Sequence, residues 1–218
     1  MALAIFDLDN TLLDGDSDYL WGQFLAQQGY VDAVFYKKEN QRFYDEYVAG
    51  TLDIFEFLEF SLKPLSQMDM DVLGKLHNRF MDECIRPIIT TKSRALIQQH
   101  IANGDTLLII TATNLFITAP IAQELGIKNI LATEPEIINK RYSGKVFGIP
   151  CFREGKVERL KEWLKETGGN LANSCFYSDS HNDLPLLEMV TKPIAVDPDD
   201  TLRSHAEMKG WDIMSLKD

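Results

Sequence analysis

Four short runs constrain the fold more than any other feature of the chain: LAIF (3–6), LLII (107–110), CFYS (175–178) and PIAV (193–196). Each is almost continuously apolar, and each ends against a polar or acidic residue, namely Asp7, Thr111, Asp179 and Asp197. Runs this short and this uninterrupted suit strands covered on both faces, as in a parallel sheet. Helical patterns lie between them. TKSRALIQQHIANG (91–104) repeats apolar residues at helical spacing and stops at Asn103-Gly104; KVERLKEWLKETGG (156–169) does the same and stops at Gly168-Gly169. Strands alternating with helices predict an α/β fold built on a parallel sheet. Ligands of such sheets sit beyond the carboxyl ends of the strands. Asp7, Thr111 and Asp179 therefore converge on one place.

The interval from Asp7 to Thr111 is far longer than a simple crossover, which needs roughly 30 residues. Most of the excess has helical periodicity, in DYLWGQFLAQQG, VDAVFYKKENQRFYDEYVAG, DIFEFLEFSL and SQMDMDVLGKLHNRFMDEC, with Ser66 as the expected N-cap of the last. The pattern predicts a helical cap over residues 15–90, inserted into a core made of residues 1–14 and 91–218. YSGKVFGIPCF (142–152) has the glycines and alternation of a β-hairpin.

The balance of charge narrows the partners. With 22 basic and 33 acidic residues the formal net charge is −11, which disfavours nucleic acid and anionic membrane surfaces. No basic leader, leader-type apolar segment or run of transmembrane length precedes or interrupts the pattern. Cys84, Cys151 and Cys175 show no metal-ligand spacing and suit reduced thiols, Cys175 as an inert core residue. The expectation is a cytoplasmic protein; nothing in the sequence points to an oligomeric state.

Five aspartates fall within the twelve residues Asp7–Asp18, and such crowding is costly unless the charge is used. A calcium loop is excluded, because its sixth and twelfth positions require glycine and glutamate and here hold Leu12 and Asp18. A second acidic turn, SDSHNDLPLL (178–187), carries Asp179 and Asp183. Together with Asp7 these form an all-oxygen set suited to a hard cation, magnesium rather than zinc. Thr111 in IITATN and Lys156 in FREGKVERL add a hydroxyl and an ammonium able to hold phosphoryl oxygens.

The order acid pair, hydroxyl, lysine, acid pair resembles the haloacid dehalogenase superfamily across essentially the whole chain. Asp7/Asp9/Thr11, Thr111, Lys156 and Asp179/Asp183 match its four motifs. The cap's place and the SHND string are similar to the branch that contains phosphoserine phosphatase. DLDNTLLDGDSDYLWGQFL with GIPCFREGK is similar to bacterial histidinol-phosphate phosphatases. Ser178 departs from the pattern by standing where glycine often precedes the metal aspartate, and His181 fills a variable position.

The resemblance implies a Rossmann-like core with a C1-type helical cap and a Mg²⁺-dependent phosphomonoesterase. Asp7 would be the nucleophile, an ordinary carboxylate ionised at neutral pH, and Asp9 the general acid and base. Asp7, the backbone carbonyl of Asp9, and Asp179 would hold the metal, with Asp183 binding Lys156 or a metal-bound water. Thr111, Lys156 and Asn182 would bind the phosphoryl group. Asp16 stands nine residues after Asp7, where phosphoserine phosphatases carry a glutamate facing the substrate amine. Glu59 falls near their carboxylate-binding arginine, so this cap would favour a cationic substrate. Residues 12–90 carry fourteen acidic and seven basic residues, in keeping with that preference. Trp21, Phe24, Tyr44, Tyr47, Phe55 and Phe57 are candidate rings for such a pocket. The expected partner is a small phosphorylated metabolite, histidinol phosphate first and phosphoserine second. A phosphotransferase or mutase, and a non-catalytic binding module, are the other readings of the same fold.

Overall fold

A computed structural model describes residues 2–218. β1 (Leu3–Phe6) sends Ala4 and Phe6 into one apolar cluster and Leu3 and Ile5 into another; β2 (Thr106–Asn114) does likewise with Leu107 and Ile109 against Leu108 and Ile110. Two-residue alternation with both faces apolar is what makes these runs look unbroken in sequence. β3 (Asn129–Ile138), β4 (Arg141–Phe147), β5 (Cys175–Ser178), β6 (Lys192–Val196) and β7 (Asp212–Met214) complete a sheet of order β4-β3-β2-β1-β5-β6-β7. Every neighbouring pair is parallel except β3 and β4. The chain builds outward from β1 through β2 and β3, then crosses to β5 on the other side. That reversal places the site at β1, where the carboxyl ends of β1, β2 and β5 open a crevice.

Five helices separate β1 from β2, the first four being α1 (Ser17–Gln27), α2 (Ala33–Val48), α3 (Ile54–Gln67) and α4 (Met70–Phe80). Asp16, Asp32 and Asp53 cap the first three by accepting from backbone N–H groups of the first turn. Ser66 does not cap the fourth. α3 runs on through Pro64, and the Ser66 hydroxyl donates back to the Lys63 carbonyl at 2.7 Å; α4 starts instead after Asp69. A π turn (Met81–Ile85) and a 3-10 turn (Arg86–Ile88) return the chain to the sheet. Leu13 bridges Ile89 there, so the two ends of the stretch are tied together. One apolar cluster runs unbroken from Phe6 and Ile109 of the sheet to Trp21, Leu62 and Phe80 of these helices.

After β2 come α6 (Leu115–Glu124), α7 (Glu154–Thr167), the short α8 (Leu184–Leu187) and α9 (Asp200–Lys209), while α5 (Thr91–Ala102) precedes β2. α5 stops where Asn103-Gly104 predicts. The expected hairpin lies earlier than its sequence signal. Arg141–Phe147 is its second arm, paired antiparallel with β3 around Asn139-Lys140. Both turn residues have positive φ, 51° and 62°, the geometry a two-residue type I′ turn demands. No helix among the described residues is long and apolar enough to cross a membrane.

Candidate active site

Asp7 is the first residue beyond β1, and its N–H donates to the Tyr177 carbonyl of β5 at 2.9 Å. Lys156, in the first turn of α7, reaches the same spot although it is 149 residues away in sequence. Its Nζ lies 2.7 Å from Asp7 Oδ1 and 2.8 Å from each oxygen of Asp183. All three side chains are buried. Ser178, where glycine was the usual residue, donates its hydroxyl to Asp183 at 2.7 Å. It thereby holds the carboxylate against the ammonium. Thr11 donates to Asp179 Oδ1 at 3.1 Å, fixing the second acidic turn against the first.

Asp9 is held separately. Its Oδ1 accepts from the Ser17 N–H at 2.6 Å and its Oδ2 from the Thr113 hydroxyl at 2.7 Å. Both oxygens are thus committed, and the side chain is kept aside from the Asp7–Asp179 pair. Thr113 can reach it because the pairing of β2 with β3 slips between Thr111 and Asn114. Such a bulge re-aims side chains at the end of a strand. Thr111 stays buried, with Oγ1 accepting from the Thr113 N–H at 3.2 Å and its own proton free to donate.

The electrostatics are those of a site overfilled with negative charge. Burial pushes the Asp7 carboxyl up to about 7; Lys156 opposes this, and the Asp183 and Asp9 charges add to it. The expectation of an ordinary Asp7 is therefore corrected. Desolvation and repulsion outweigh the lysine. Burial and the Asp16 charge raise Asp9 to about 6 against the hydrogen bonds it accepts from Ser17 and Thr113. Asp179 lies well above the ordinary carboxylate range, from burial first and then the Asp7 and Asp183 charges. For Lys156, burial works against the charged form, but Asp183 and Asp7 prevail and hold it as a cation.

Not every expected residue joins this cluster. Asp16 caps α1 through the Tyr19 N–H, and the Asp7 charge reaches it. Glu59 does not come near. It lines an open groove between α2 and α3 with Tyr30, Phe35, Glu39, Arg42 and Phe60, and none of the residues around Lys156 shares that groove. Helical phase turns Glu59 outward while Leu58 and Leu62 face the core. Trp21 and Phe24 are core residues, Tyr44 and Phe55 are exposed, and Phe57 packs edge-on to Phe43. Of the six candidate rings, Tyr47 borders the carboxylates. Burial first, then the charges of Asp179, Asp183 and Asp7, raise its phenol well above the usual range.

Sequence reasoning missed Thr113, Ser178 and Arg153. Arg153 adopts φ 50° and ψ −120°, an unfavourable backbone for a residue with a Cβ. From there Nε donates to Asn182 Oδ1 at 2.8 Å and Nη2 to the Gly50 carbonyl at 2.7 Å. Since arginine only donates, it fixes the Asn182 amide with its NH₂ on the far side, where Nδ2 donates to the Tyr47 carbonyl and to Ser180 Oγ, each at 3.3 Å. A left-handed backbone at an arginine has no sequence signal. TATN, with two further hydroxyl or amide groups behind Thr111, did offer one for Thr113.

The donor set fits a magnesium ion. Among the described residues no group of three His, Cys, Asp or Glu side chains is arranged as a cage. Magnesium does not require one: it is commonly held by one or two carboxylates, with waters and substrate phosphate completing the shell. Asp7 and Asp179, whose ionised forms are disfavoured by burial first and then by neighbouring carboxylates, are two such carboxylates, and Lys156 alone does not balance them.

The haloacid dehalogenase-like hydrolase family profile matches residues 4–188. A histidinol-phosphatase of Neisseria meningitidis serogroup C (strain 8013) is 45% identical over 219 residues, with 99% of both chains covered. A protein of unknown function from Bordetella pertussis Tohama I superimposes with a TM-score of 0.93 at 43% identity, covering 99% of each chain. A phosphoserine phosphatase carrying a phospho-aspartyl intermediate analogue shares the fold, with a TM-score of 0.73 at 19% identity over 99% of this chain and 93% of its own.

Proposed function

The chain belongs to the haloacid dehalogenase-like hydrolase family and is a phosphatase, and from that premise we propose that it hydrolyses histidinol phosphate through an aspartyl phosphate on Asp7. The full-length 45% identity to a histidinol-phosphatase carries the choice of substrate. The charge of the site supports it. Lys156 is taken up by Asp7 and Asp183, and Arg153 by Asn182 and the Gly50 carbonyl. Neither cation is left over for a substrate carboxylate, whereas Asp16 and Asp18 cluster with Asp9, where burial first and then their mutual repulsion oppose ionisation, so a substrate cation is favoured there. An ester with an amine and an imidazole but no carboxylate suits that balance better than phosphoserine does.

In the first half-reaction an Asp7 oxygen bonds to phosphorus as the ester P–O bond breaks, and Asp9 gives its proton to the departing alcohol oxygen. A carboxyl near 6 is close to the working pH, where an acid is most useful. In the second half-reaction Asp9 takes a proton from water as that water attacks phosphorus, releasing phosphate and restoring Asp7. Lys156, the Thr111 hydroxyl and the Asn182 amide spread the phosphoryl charge throughout. Magnesium, held by Asp7, Asp179 and the Asp9 carbonyl, with Asp183 behind Lys156, would supply the remaining neutralisation of the phosphoryl oxygens. Residues 15–90 serve as the cap that shields this chemistry from bulk water.

The test is a panel of phosphate esters ranked by kcat/KM with magnesium and with chelator. Histidinol phosphate leading the panel, and activity vanishing with chelator, is the expected result. Phosphoserine leading it would overturn the substrate assignment. Transfer to an added alcohol in place of water would turn the reading to a phosphotransferase.

A further inference from the structure

One residue beside the site holds a backbone conformation that its own side chain makes costly. The Gly155 N–H donates to the Phe152 carbonyl at 2.8 Å, closing a four-residue turn. Arg153, the second residue of that turn, has φ 50° and ψ −120°. These angles mirror those of a type II turn, and glycine is the residue that adopts them freely. Any other residue persists there only where its surroundings hold it, and such strain collects at functional sites. Two separate elements hold Arg153. Its Nε donates to Asn182 Oδ1, and its Nη2 to the Gly50 carbonyl just past the C-terminal end of α2. A cation is favoured at that end of a helix.

α2 depends on such a hold. None of its residues belongs to either of the two apolar clusters of the molecule. Its buried rings, Tyr36 and Phe43, pack on Phe60 and Phe57 of α3, and an open groove of about 460 Å³ runs between the two helices. Its last turn nevertheless lies over the site, where Tyr47 borders Asp179, Asp183 and Asp7. Asp7 is 7% exposed, and Lys156, Asn182 and Asp183 less. A phosphate ester reaches them only when something above them lifts, and the lightly packed end of α2 is the element placed to do so.

We propose that Arg153 is a positioning residue that ties the seating of the α2 end to the orientation of the Asn182 amide, so that each is secured only with the other. The inference rests on Asn182 being a phosphoryl ligand, as proposed above, and not on which ester is hydrolysed. With α2 seated, Nη2 is anchored on Gly50 and Nε holds Asn182 Oδ1. The amide then cannot turn its oxygen toward the phosphoryl group, which it would repel. With α2 lifted, Nη2 loses its acceptor, the strained turn relaxes, and the amide is free to rotate. A phosphoryl oxygen can take the N–H now given to the Tyr47 carbonyl at 3.3 Å, because the shorter Arg153–Gly50 bond, 2.7 Å, still seats the helix. By linkage, phosphate on Asn182 favours the seated helix as much as the seated helix favours phosphate. Lysine could not substitute, since a single ammonium lacks the fork that meets two acceptors in fixed geometry.

Arg153→Gly removes the guanidinium and relieves the turn. The variant should keep or raise its Tm, while KM for histidinol phosphate and for an aryl phosphate rises by one common factor, about tenfold, the worth of one hydrogen bond to a charged group. The fall in kcat should be smaller, and Arg153→Lys should not restore KM. A lower Tm with KM unmoved would make Arg153 a structural tie and overturn the proposal. Hydrogen exchange needs no turnover and, in the wild type, no variant that folds. The amides of α2 should exchange faster than those of α1, α3 and α4, and inorganic phosphate with magnesium should slow them. In Arg153→Gly that slowing should vanish. Exchange in α2 no faster than in its neighbours, or slowing by phosphate that survives in the variant, would sink the coupling. Should histidinol phosphate fail as a substrate where the aryl phosphate succeeds, the substrate assignment falls alone, and the aryl ester and the exchange still decide the role of Arg153.

Discussion

At the scale of single residues, the site is a store of unfavourable carboxylate charge. Asp179 is raised well above its ordinary range by burial and by Asp7 and Asp183. A group with a raised folded-state pKa binds its proton more tightly folded than unfolded, so ionising it costs stability. That cost is full above the folded pKa and disappears as pH falls through it toward the unfolded value near 3.8. Asp179→Asn should therefore raise the Tm of the metal-free protein by about 2–4 °C per kcal/mol relieved. The gain over wild type should be largest at pH 8, shrink by pH 5, and come with lost phosphatase activity. Thermal melts in chelator across that pH range check it. Thr113 supplies a second test. Its hydroxyl lowers the Asp9 pKa, so Thr113→Val should move the alkaline limb of the kcat/KM profile, where Asp9 loses the proton it donates, to higher pH, and cut kcat about tenfold, a fraction of the 10²–10⁴ that such a general acid contributes. An unmoved alkaline limb would mean that Thr113 does not tune Asp9.

At the scale of elements, α7 delivers Lys156 and a close approach fixes how it starts. A Cβ on Gly155 would stand 2.0 Å from the Pro150 carbonyl oxygen, nearer than any real Cβ comes to an oxygen. Gly155→Ala must shift either the first turn of α7 or the loop before it. The expected outcome is a loss of about 2 kcal/mol or more in denaturant unfolding, with kcat reduced because Lys156 leaves its place between Asp7 and Asp183. Full activity with unchanged stability would refute that account. The Arg153 contacts join two elements that the sequence keeps far apart. Arg153→Ala frees the Asn182 amide and unties Gly50 from the core, and KM should rise more than kcat falls.

At the scale of the molecule, the helices between β1 and β2 share one apolar cluster with the sheet. Trp21 stands edge-on to Phe80 and to Phe116 of α6, with centroids 5.1 and 5.4 Å apart. His77 of α4 contacts the Ile117 carbonyl at 3.0 Å. So continuous a core predicts a single cooperative unfolding transition, with tryptophan fluorescence and far-UV circular dichroism moving together. Two separated transitions would show that the insertion folds as its own unit.

What the chain determined by itself follows from local pattern. LAIF and CFYS are apolar at every step because a central parallel strand is covered on both faces, and Asp7 and Asp179 come next because strand ends are where polar groups return to solvent and ligand. Lys156 was legible only through its order behind those motifs. Its contact with Asp7 spans 149 residues, and no local rule reports so long a closure. Tertiary structure alone decided that Glu59 faces outward, that Ser178 holds Asp183 and Thr113 holds Asp9, and that Asp7 is no ordinary carboxylate. Each of these depends on burial and on charges brought together from distant segments, and a linear sequence records neither desolvation nor the distance between groups that are not neighbours.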